Sequence, residues 1–171
     1  LVVNTIETNA PFPSEVVTMW LEVFEFPDIA CFSSLTRLHT LSLAVWKKEK
    51  PLDLSALTTL TNLDVKRHPV ERLPTSLVKC TILLNSDLDM SSLTDLVSLK
   101  VSLKPNVRAT FPTGLKELTI SQGQIGQSNI GEVALETLIA DWDYPITRDQ
   151  LETFPKTLKQ IGAFFEPESL R

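Results

Sequence analysis

Four residues of this 171-residue chain have the types from which metal centres and nucleophilic sites are built: His39, His68, Cys31 and Cys80. A zinc or catalytic site needs several such groups at short, fixed separations, so that folding delivers them to one point. Here the histidines stand far apart with no Cys or acidic partner at ligand spacing, and Cys80 occupies an apolar anchor position. Cys31 reads as a buried connector. The stretch GQIGQSNIG, Gly123 to Gly131, lacks the Gly-x-Gly-x-x-Gly spacing and the long following helix of a phosphate cradle, and reads as a loose loop. The run KKEK, Lys47 to Lys50, reads as a solvated turn. No nucleophile, base and orienting group share a motif. The expectation is therefore a protein that is not an enzyme, with no catalytic residues, no metal and no cofactor.

What remains is surface chemistry, and the composition bounds it. With 43% hydrophobic and 22% charged residues the chain has the make-up of a globular protein able to bury a core. Its formal net charge of −5 argues against nucleic acid or an anionic membrane as the main partner, since both need a positive face. No run approaches the roughly 20 apolar residues that span a bilayer, and the opening LVVNTIET has none of the regions of a signal peptide. The absence of a starting Met suggests an excerpt of a longer chain. Two cysteines and no Asn-x-Ser/Thr sequon lean towards a cytoplasmic setting.

The elements that must position any surface site follow from a recurring word. FPTGLKELTI at Phe111 is matched class for class by FPKTLKQIGA at Phe154 and LPTSLVKCTI at Leu73, and more loosely by FPSEVVTMWL at Phe12. Anchoring on the last two apolar residues of each word pairs Met19 and Leu21 with Leu41 and Leu43, then Leu63 and Val65, Cys80 and Ile82, Leu99 and Val101, Leu118 and Ile120, Leu138 and Ala140, Ile161 and Ala163. The period is roughly 20 residues, and the opening LVV fits one further, cut-off unit. In LTRLHTLSL, LTTLTNLDV and LTDLVSLKV the apolar spacing changes from three to two at the last step. A change of this kind marks tight turns feeding a short strand, because alternation puts both anchors on one face. Pro in the other version of the word fixes φ and removes a donor, which suits an extended approach to the strand.

This pattern resembles the leucine-rich repeat family over nearly all of the chain. The LPxxLxxLxI version looks like the short repeats of bacterial effectors and like the FNIP-type repeats of amoeboid protists; LETLIADWDYPI followed by FPKTLKQI is most similar to the latter. The resemblance implies an α/β leucine-rich-repeat solenoid, a horseshoe of about eight to nine short repeats, filling residues 1–171 as a single domain. A parallel β-sheet would line its concave face, opposite a convex side that is mostly irregular or 3-10. The chain departs from the family where an Asn usually satisfies turn amides: Trp46, His68, Asn85, Lys104, Gly123 and Asp143 hold that slot, so irregular or water-bridged turns are expected.

In such a solenoid, residues flanking the anchors form columns on the open sheet face. The register assigns to it Trp20, Glu22, Asn62, Asp64, Lys66, Lys79, Thr81, Lys100, Glu117, Thr119, Ile139 and Asp141 as partner-binding residues. Asn62, Asp64, Lys66, Lys79, Thr81 and Lys100 make a mixed-charge centre with a basic lean suited to an acidic peptide or loop. Trp20 and Ile139 are apolar residues left outside. Trp20 reads either as a binding anchor or as a residue uncovered by a missing repeat, and Trp142 reads as turn filler. The expected function is a non-catalytic protein–protein interaction module docking a protein or peptide on this face. The competing reading is a structural scaffold that stacks end to end, or a homo-dimer formed through exposed solenoid ends. Neither nucleic acid nor membrane is expected as a partner.

Overall fold

The computed structural model of the chain describes residues 2–3, 12–25, 29–47, 50–104, 106–121, 128–140 and 151–162. The chain forms two compact units, Leu1–Leu83 and Leu84–Arg171. Each is a stretch of parallel-strand solenoid, and the leucine word explains why. In the first unit, the Leu57 N–H donates to Leu54 O at 3.1 Å and the Leu60 N–H to Leu57 O at 3.0 Å. Leu35 and Leu38 repeat this pair of three-residue turns one coil earlier, and Leu93 and Leu96 repeat it in the second unit. The spacing of three is thus two consecutive tight turns, each delivering a leucine inwards. The spacing of two then begins a strand, whose alternate residues point in and out.

The first unit carries β1 (Val2–Val3), β2 (Thr18–Val23), β3 (Thr40–Val45), β4 (Leu52–Asp53), β5 (Asn62–Arg72) and β6 (Lys79–Leu84). The second carries β7 (Leu88–Asp89), β8 (Ser98–Leu103), β9 (Ala109–Thr110), β10 (Glu117–Ser121), β11 (Thr137–Ala140) and β12 (Gln160–Gly162). The anchors paired from sequence are true neighbours. Met19 opposes Leu41, Leu41 opposes Leu63 and Leu63 opposes Cys80, all in parallel register. In the second unit Leu99, Leu118, Leu138 and Ile161 follow one another in the same way. Even the opening pair fits, with Val2 opposite Trp20 and Val3 opposite Leu21. The inward column is fully buried: Met19, Leu41, Leu43, Leu54, Leu60 and Leu77 are all 0% exposed.

Register is set where each strand starts. One carbonyl there accepts two successive N–H groups from the next coil: Val17 O from His39 and Thr40, His39 O from Thr61 and Asn62, Thr61 O from Val78 and Lys79. Val97, Lys116 and Glu136 do the same in the second unit. A hydroxyl column adds to this. Thr59 Oγ1 donates to Leu38 O at 2.9 Å, Ser76 Oγ to Leu60 O at 2.7 Å, and Thr157 Oγ1 to Leu135 O at 2.8 Å. Ser and Thr hydroxyls thus tie successive coils at the corner that precedes the strand. Asn129 ties one coil differently: its side chain accepts from the Phe111 N–H and donates to Phe111 O.

The far side of the coil differs from the expected α/β design. Helix is nearly absent among the described residues, being limited to 3-10 turns at Ile29–Phe32 and Ile130–Glu132 and to residues 151–152. In its place each unit has a second, minor ladder: Leu52 pairs with Val70 across β4 and β5, and Leu88 with Ala109 across β7 and β9. PLDLSAL, Pro51 to Leu57, holds the first of these short strands. Asp53 and Asp89 end these strands by accepting the N–H groups of Ser55 and Ser91, at 3.0 and 2.9 Å. With roughly 20 residues per coil, two strands and two turns use up the chain and leave no length for an α-helix.

Two outcomes follow. Ser76→Ala leaves Leu60 O without its hydroxyl partner and is expected to lower stability by about 1 kcal/mol in urea denaturation, whereas the exposed Thr75→Ala shifts the midpoint little. The hydrogen bond from the Ser55 hydroxyl, with the Ser55 N–H beside it, holds Asp53 below its ordinary value of 3.8. Because the unfolded chain binds that proton more readily, this contribution is present above about pH 4 and is lost as the pH falls below it. Urea midpoints measured across that range should fall less steeply for Asp53→Asn than for the native chain.

Candidate functional site

The residues with catalytic potential are dispersed by the fold. His39 is exposed, its Nδ1 2.7 Å from Arg37 O, whereas His68 is buried at 2% exposure with Nε2 2.7 Å from Lys50 O. Cys31 and Cys80 are free and buried. Burial, and then the charge of Asp64, push the Cys80 thiol far above its usual range, which removes the thiolate that nucleophilic chemistry requires. Among the described residues no three His, Cys, Asp or Glu side chains converge on a point that could hold a metal ion, and no helix is long and apolar enough to cross a membrane.

The outward columns of the first unit do converge. Trp20 lies opposite Ser42, Ser42 opposite Asp64, and Asp64 opposite Thr81. One row towards the strand starts, Thr40, Asn62 and Lys79 are neighbours; one row towards the strand ends, Glu22, Ala44 and Lys66 are neighbours. Asp64 sits at the centre of this grid. Its Oδ2 receives Ser42 Oγ at 3.4 Å and lies 3.5 Å from Lys66 Nζ, while its Oδ1 is buried without a partner among the described residues. Asn62 donates to Thr40 Oγ1 at 3.4 Å. The first-unit residues assigned from sequence, Trp20, Glu22, Asn62, Asp64, Lys66, Lys79 and Thr81, therefore share one face, and none is fully buried.

The structure adds three residues that the word did not capture. Trp46, placed by the repeat pattern in the turn slot, is 50% exposed and stands on the same face just past β3. Its Nε1 donates to Glu22 Oε1 at 3.1 Å, and the Arg67 guanidinium lies over its ring, 4.1 Å from the centroid. Phe24, next to Trp46 at the end of β2, is 73% exposed. Alternation continued two residues past the word, from Trp20 through Glu22, would have found Phe24. Arg67 gives no such signal: it has φ 67°, a left-handed conformation uncommon for residues other than glycine, and it bends β5 from the main sheet into the minor ladder.

In the second unit Lys100, Thr119 and Ile139 form one row across β8, β10 and β11, and Glu117 begins the row between Ser98 and Thr137. Ile139 is 43% exposed, and the carbon a side chain would add at Gly162 lies 3.7 Å from its Cγ1. Ser102 and Ser121 hydroxyls pair at 2.7 Å. Below this row Glu136 meets Lys159 Nζ at 2.7 Å and Lys116 Nζ at 3.8 Å, and the Lys159 hydrogen bond and charge hold its carboxyl low. Asp141 and Trp142 lie outside the described residues.

The two faces thus present rows of polar, charged and apolar side chains, with the exposed aromatic residues among the described ones in the first unit. Compared with known proteins, the chain matches no protein-family model, no curated protein and no solved structure.

Proposed function

We propose that the chain is a non-catalytic protein-interaction module that docks a protein or peptide on the open face of its parallel sheet. The observation carrying this reading is the row Trp20, Ser42, Asp64, Thr81, four consecutive outward positions of which the first is a tryptophan 53% exposed. Tryptophan held on a rigid strand loses little entropy on binding and is enriched among the residues that dominate affinity. The coil is read as a leucine-rich type of repeat, supported by leucine words that fold as two turns and a strand. Lys66 and Lys79 in the first unit and Lys100 in the second would set partner choice against Asp64 and Glu117 through charge.

The test is affinity capture followed by titration of whatever is recovered. The native chain is compared with Trp20→Ala, with the triple variant Lys66→Glu, Lys79→Glu, Lys100→Glu, and with Thr75→Ala at a turn corner as control. Loss of Trp20 should weaken binding by about 30-fold, roughly 2 kcal/mol, with the control unchanged. Equal recovery and affinity for native protein and face variants overturns the reading.

A further inference from the structure

We propose that the Trp46 corner of the first unit binds an extended peptide bearing one apolar side chain and one carboxylate; this rests on the docking reading above and names its partner. The small, half-buried pair Ser42 and Ala44 on β3 lies between Trp20 and Glu22 on β2 and Asp64 and Lys66 on β5, with Phe24 just past β2 and Trp46 just past β3. An apolar side chain laid against Trp20 or Phe24 would cover rings that are now 53% and 73% exposed.

The carboxylate end is argued from Arg67. Its left-handed backbone carries strain that a glycine would not carry, yet the position holds the longest of the cationic side chains. Trp46 donates its ring N–H to Glu22, and the Arg67 guanidinium lies over the ring, 4.1 Å from its centroid. Contact with a ring face spends few of the N–H donors that a guanidinium carries. No carboxylate among the described residues takes them. A planar fork already held in place is the half-built form of a bidentate carboxylate site. Glu22, Glu25 and Asp64 around the corner oppose a polyanion, so the match is to a single carboxylate rather than a nucleic acid. Arg67 also covers one face of Trp46, which removes it as a stacking platform for a sugar ring.

The experiment titrates labelled synthetic peptides in a Pro/Ser background, carrying one Leu and one Glu at every separation up to five residues, against the native chain. Binding should be tightest at one separation, since both contacts are fixed to the same rigid face. Arg67→Gly, which relaxes the backbone and so keeps the fold, should weaken that peptide by about 10-fold or more, Glu→Gln in the peptide should do the same, and the two changes together should give no further loss. Equal binding by native and Arg67→Gly chains, or no dependence on separation, overturns the proposal. If Phe24→Ser abolishes binding while Arg67→Gly and Glu→Gln do not, the acidic partner is wrong and sheet-face docking stands. If no peptide binds at all, the proposal falls, and the Trp20 capture experiment decides the docking reading separately.

Discussion

The whole arrangement depends on how one coil is fixed to the next. At the start of each strand a single carbonyl receives two successive N–H groups from the following coil, and this fork allows only one offset between them. A slip of one residue would break both bonds and would also turn every leucine of that strand outwards, since the side-chain period is two. Backbone and side-chain preferences therefore agree on the same register. The hydroxyls of Thr59, Ser76 and Thr157 tie the turn corner that precedes this fork, so the constraint acts before the strand begins as well as along it.

From that constraint the surface follows. Holding Leu41 opposite Leu63 inside necessarily holds Ser42 opposite Asp64 outside. The columns are a by-product of the core, rigid because the core is rigid. Where the columns carry small residues, as at Ser42 and Ala44, the face is recessed; where they carry Trp20, Phe24 and Trp46, it rises. The Glu22, Trp46 and Arg67 contacts cross three strands and lock side chains that would otherwise sample many rotamers.

Much of this was legible in the sequence because the signal is periodic. The anchors from Met19 to Cys80 and from Leu99 to Ile161 could be aligned by their spacing alone, and the inward and outward residues of each strand came with them. The minor ladder was not legible, because strands of two residues such as Leu52–Asp53 are too short to show a period. The hydroxyl column was hidden by its position: Thr59 and Ser76 sit among other Ser and Thr residues with nothing in their type to mark them. Phe24 and Trp46 lay past the last anchor, where the word stops and a family pattern of turn residues was imposed on Trp46. Arg67 matters through its φ angle and its reach to Trp46, and neither is written in residue spacing.

The strict division between inward leucines and outward variable positions has an evolutionary consequence. Exchanging Ser42, Asp64 or Thr81 for other polar residues rewrites the surface while the packing of Leu41, Leu63 and Cys80 stays as it was. Such a scaffold can change its exposed chemistry through single steps that are nearly neutral for folding. Arg67 stands outside this freedom, because its left-handed backbone angle disfavours any β-branched residue at the bend between the two ladders.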